Sequence, residues 1–164
     1  MLHVFCLRRV LLAGAPSSMR SVMQAQLRLL GARPVCLSDC LSEESLDRTL
    51  HRGRFACVIV PDLAALHPEC AQQRLAALGM LLGEACEAGV PLVMLLGQIL
   101  DIHNNETAQL FSHALGLGMA GDPVSMQCIL HHGADPKRIC SNALALGARF
   151  LSGERELTGV FSLN

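Results

Sequence analysis

The chain has no tyrosine and no tryptophan. Mechanisms that use a phenol as proton donor or acceptor are therefore excluded. Lys137 is the only lysine, so the positive charge is carried almost entirely by arginine. Charged residues make up only 16% of the chain and the formal net charge is −1, which gives no case for nucleic acid or an anionic membrane as partner. No C-x-x-C pair occurs among the eight cysteines. Several of them lie inside apolar runs, as Cys57 does in Phe55–Val60, and the expected state is a buried free thiol. No apolar run reaches the length of a membrane span. Arg8 and Arg9 follow the short apolar start instead of preceding it, which is not the order of a secretory leader, and a cytoplasmic protein is expected.

What is present is apolar. Hydrophobic residues make up 51% of 164 residues, enough for one domain, residues 1–164, with a sizeable core. Short continuous apolar runs alternate with segments of helical period. Strands are expected at Val10–Ala13, Pro34–Ser38, Phe55–Val60, Val90–Leu96, Pro123–Leu130 and Gly159–Leu163. Helices are expected from Met19 to Leu30, from Ser42 to Arg52, from Ala71 to Ala88, from near Asn105, and from Pro136 to Leu151. Ser17 or Ser18 can cap the first, Gly31 is placed to close it, and Asp135-Pro136 is a cap and first-turn pair for the last. Alternation of helices with fully apolar strands implies an α/β fold. The sheet should be mainly parallel and covered on both faces, a three-layer Rossmann-like domain.

Four segments in order resemble the extended short-chain dehydrogenases/reductases, and among them the sugar-nucleotide epimerases and the dTDP-4-dehydrorhamnose reductases. Val10–Ala15 is similar to the first strand and its T-G-A-x-G-x-x-G turn. Phe55–Val60 with Ala64-Ala65 is similar to the strand that ends beside the cofactor. Glu84–Leu95 is similar to an E-A-A-x-x-A-G-V-x-x-x-V pattern. Ala120–Val124, Asp135-Pro136 and Leu157–Asn164 are similar to the family's closing segments.

The resemblance implies a cofactor turn at Gly14, Ser17, Ser18 and Arg20, with Asp39 after the second strand placed to meet an adenosine ribose; NAD or NADP would be the ligand. Of the turn's three glycine positions, here Gly14, Ser17 and Arg20, one is glycine. Arg20 fills space, and its charge could also meet a phosphate. Asp39 has a plainer reading as a solvated loop residue. The family's Tyr-x-x-x-Lys pair is absent, Lys137 lies in another region, and the position of its Ser/Thr falls near Gly97-Gln98. No catalytic residue is assigned. The family's usual length further implies a largely missing substrate lobe. The expected function is a non-catalytic relative acting as a nucleotide-binding or assembly module. A nucleotide-binding protein with its own mechanism is the second reading.

A third reading is a receiver-like signalling module, from Pro16–Val22, Phe55–Asp62 and Val90–Leu95. The acidic pair of receivers would fall near Ala13-Gly14, and its phosphoacceptor at Pro61, one place before Asp62. Cys128, His131, His132 and Cys140 contain metal-ligand types in a spacing that matches no standard zinc site; a buried cysteine and a solvated His-His turn explain them as well. Glu43, Glu44 and Asp47 read as a solvated helix face. The apolar balance is expected to be met by a homodimer through the helices at about 71–88 and 105–119, or by another protein partner.

Overall fold

The computed structural model describes residues 2–37, 43–62, 71–96, 126–131, 135–153 and 159–163. After a short 3-10 turn, Leu2–Phe5, the chain forms β1 (Arg9–Ala13), α1 (Ser18–Leu29), β2 (Arg33–Leu37), α2 (Glu43–Gly53), β3 (Phe55–Val60), α3 (Ala71–Ala88), β4 (Leu92–Leu96), β5 (Met126–His131), α4 (Pro136–Leu151) and β6 (Gly159–Leu163). The six strands form one parallel sheet in the order β2-β1-β3-β4-β5-β6. The fold is α/β and Rossmann-like, as its alternation of elements predicts.

Beyond Arg9, the strands β1, β3 and β4 are apolar because both of their faces are covered. Successive side chains of β1 divide between them. Leu11 and Ala13 join Val58, Val60, Leu92 and Met94 under α2 and α3, where Leu46, Leu50, Leu78, Leu81 and Leu82 close the layer. Val10 and Leu12 join Cys57, Ile59, Val93 and Leu95 under α1 and α4, where Met19, Met23, Leu27, Ala143 and Leu144 pack. Pro34 cannot donate to a neighbouring strand, and it sits in β2, at one end of the sheet.

Several expected boundaries shift for local reasons. Val90 and Pro91 precede β4: the Val90 N–H turns back to the Ala85 carbonyl, and Pro91 offers only its carbonyl, which accepts from Val58. β5 runs one residue further than expected, so half-buried His131 is the last residue of a strand and not part of a solvated turn. Of the thiols, Cys57 and Cys140 are buried as expected, whereas Cys6 is exposed and Cys36 and Cys86 are half-buried. The expected helix from near Asn105 lies outside the described residues. Among the described residues no helix is long and apolar enough to cross a membrane.

Candidate functional site

In an open parallel sheet, ligands bind outside the carboxyl ends of the strands, where neighbouring strands lead to crossovers in opposite directions. Here that point lies between β1, which leads to β2 on one side, and β3, which leads to β4 on the other. The β1 end carries Ala13-Gly14 and the β3 end carries Pro61-Asp62. The β1–α1 turn is thus the natural candidate.

The turn is built from its sequence. Gly14 has φ +127°, a conformation that side chains resist, and its N–H donates to the Leu37 carbonyl at 3.0 Å, tying the turn to the end of β2. Pro16 is the last residue before the cap. Ser17 is extended, and its hydroxyl accepts from the Arg20 N–H at 3.1 Å, which settles the N-cap in favour of Ser17 over Ser18. Ser18 is the first helical residue and is exposed. Gly31, at φ +80°, ends the helix behind the Leu30 cap.

Arg20 folds back over this turn. Its Nη1 donates to the Gly14 carbonyl at 2.8 Å from a partly buried position. A guanidinium carries five N–H donors, so the others are available for an anion. The Ser17 hydroxyl is occupied as acceptor and still has a proton to donate. The positive end of the α1 dipole points the same way. Gly14, Ser17 and Arg20 are therefore brought together, with Ser18 next to them at the helix start. Asp39 lies outside the described residues, and so does Gly97-Gln98.

The remaining candidates are placed as follows. Asp62 is half-buried, directly beyond buried Pro61 at the β3 end. Lys137 is exposed in the first turn of α4, where its N–H donates to the Asp135 cap at 3.0 Å. Cys140 is on α4, buried, with its thiol directed at the Met19 carbonyl at 3.8 Å. Burial pushes its pKa up to about 12, and likewise that of Cys57, so neither is a ready thiolate for a metal or for nucleophilic attack. His132 lies outside the described residues.

One grouping was missed in the sequence. Asp47, read as part of a solvated face, pairs with His51 one helical turn on, with Oδ1 3.2 Å from Nε2. Both lie beside Glu84 of α3, which is nearly buried. The i, i+4 spacing of Asp47 and His51 was the available signal; the contribution of Glu84 depends on how α3 packs.

No protein-family model matches the chain, and no curated protein matches it in sequence. The fold does resemble solved structures. BdcA (YjgI) from E. coli aligns over 98% of this chain and 100% of its own, with a TM-score of 0.59 and 12% identity. A protein assigned as a short-chain dehydrogenase/reductase from Sinorhizobium meliloti 1021 aligns over 98% of this chain and 85% of its own, with a TM-score of 0.50 and 15% identity. At such identities the likeness is one of fold: the chain has a Rossmann-like fold similar to that of short-chain dehydrogenases/reductases.

Proposed function

We propose that the chain is a nucleotide-binding module that holds phosphates at the β1–α1 turn and does not carry out hydride transfer, a relative of the sugar-nucleotide reductases and epimerases. The observation that carries this reading is the Arg20 guanidinium held against the Gly14 carbonyl at the mouth of the turn, above the N-terminus of α1. It replaces glycine's close approach with a charge, so a phosphate is gripped by arginine and the Ser17 hydroxyl instead of by bare backbone. The lack of tyrosine leaves the family's acid/base step without its agent.

Calorimetric titration with NAD, NADP and nucleotide sugars tests the reading. Ser17→Asp keeps a good N-cap but sets a carboxylate against the phosphate, so it should abolish binding while α1 stays intact. Arg20→Ala should also abolish it. Absence of binding by any of these ligands would rule the reading out and leave an assembly module.

The strand order supports a second reading. β2-β1-β3-β4-β5 is the order of flavodoxin-like and receiver domains, to which β6 adds a further strand. In that reading Asp62 at the β3 end takes a phosphoryl group. Ala13-Gly14 stand where receivers carry their acidic pair, which weighs against it. Labelling by acetyl phosphate that is lost in Asp62→Asn would favour it over the first.

The proposal includes a two-fold dimer through α3. Its less buried side carries Ala76, Gly79 and Met80, uncharged residues of which the first two permit close approach of a second helix, with exposed Glu87 further along. The other segment expected in this interface, residues 105–119, lies outside the described residues. Light scattering at micromolar concentration tests it, and a monomer would end it.

A further inference from the structure

The layer formed by α2 and α3 holds a group of metal-ligand types on the side of the sheet opposite to α1 and α4. Asp47 and His51 project from α2 with side chains 60% and 44% exposed, while Glu84 of α3 is 8% exposed. One ligand atom from each lies within 4.8 Å of the others. We propose that Asp47, His51 and Glu84 form a binding site for a divalent transition-metal ion of the zinc class, with solvent in the fourth position.

The geometry needs little adjustment. A tetrahedral zinc ion with bonds of about 2.0–2.2 Å sets its ligand atoms about 3.3–3.6 Å apart. Asp47 Oδ1 and His51 Nε2 are already 3.2 Å apart. The wider separations are closed by rotating Asp47 and His51, whose exposed side chains are free to turn, toward the more constrained Glu84. One imidazole with two carboxylates suits zinc, whereas calcium takes six to eight oxygen ligands.

The two carboxylates of the group would draw a cation between them, and Glu84 also has a partner within the fold. Bound there, the ion ties α2 to α3 above Leu46, Leu50, Leu81 and Leu82. A ligand of the native state alone raises its stability, so zinc should raise the thermal midpoint.

The test uses the whole chain, stripped with a chelator and kept reduced. Zn2+ titration followed by calorimetry should give one site. His51→Ala and Asp47→Asn should each weaken it by about tenfold or more, and Glu84→Gln likewise. Asp47 and His51 are exposed, so those two variants stay folded, as circular dichroism should verify, even if Glu84→Gln does not. Co2+ substituted at this site should show visible bands without the strong near-ultraviolet absorption of a thiolate ligand. The zinc-induced rise in thermal midpoint should vanish in His51→Ala. Lack of saturable binding, binding indifferent to Asp47→Asn and His51→Ala, or a cobalt–thiolate band would each overturn the proposal.

Discussion

Arg20 closes the turn that Gly14 opens: its guanidinium donates to the Gly14 carbonyl at 2.8 Å, across a helix start already capped by Ser17. A charged donor to a partly buried carbonyl is worth roughly 1 kcal/mol after allowance for solvent. Arg20→Ala should therefore destabilise the fold by about 1 kcal/mol in urea melts, apart from any effect on ligand. Arg20→Lys should recover part of this stability and little of the phosphate grip, because an ammonium lacks the planar fork.

The two adjacent serines should behave differently. Ser17→Ala removes the acceptor for the Arg20 N–H and should cost about 1 kcal/mol. Ser18→Ala changes an exposed helical residue and should stay within about 0.5 kcal/mol. Equal effects in chemical denaturation would contradict the assignment of the cap.

The thiols should separate by reactivity and by pH. Cys6 should react promptly with a thiol reagent, and Cys57 and Cys140 only on unfolding. Burial raises the latter two from 9.0 to about 12, so between those values the unfolded chain releases protons that the native state retains. Their contribution to stability is intact below about pH 9 and is lost as pH rises toward about 12. Urea midpoints measured in reductant should fall across this range, and less steeply in a Cys57→Ala, Cys140→Ala variant.

Two glycines near α2 and α3 give opposite predictions. A methyl group on Gly53 would run into the ring of Phe55, which also lies under Arg9, at 4.7 Å from its guanidinium carbon to the ring centroid. Arg9 in turn donates to the Gly53 carbonyl at 2.7 Å. Gly53→Ala should destabilise by about 1–3 kcal/mol. Gly83, inside α3, has open space around it, and Gly83→Ala should stabilise by about 0.5–1 kcal/mol. Thermal melts of the two variants are a direct comparison.

The sequence made β3, α3, α4 and β6 legible to the residue because each is an apolar run or stripe closed by strong punctuation. Pro61 follows β3, Gly89 follows α3, and Asp135-Pro136 opens α4. Lateral order was not legible, since periodicity reports which faces are covered and not which strand lies beside which. In α3, Leu78, Leu81, Leu82, Glu84 and Ala85 are all buried, a wider arc than a single helical stripe. A helix apolar on more than one side does not announce its inward face. For the same reason Asp47 read as solvated: its neighbour Glu84 arrives from an element that follows later in the chain. At the β1–α1 turn, Arg20 was recognised as a space filler, but its bond to Gly14 needed three dimensions.

Among the described residues every strand pairing is parallel, so none of these pairs can form as a hairpin. β1 must wait for Arg33 to arrive on one side and Phe55 on the other before its backbone is satisfied. Such non-local pairing slows folding. During that interval β3 is uncovered, and Cys57 has neither the burial nor the raised pKa that make it inert in the native state. The same residue is thus protected at equilibrium and vulnerable in time. With eight cysteines in the chain, renaturation without reductant competes with random disulfide formation, and the yield is set by the redox potential of the buffer as much as by the sequence.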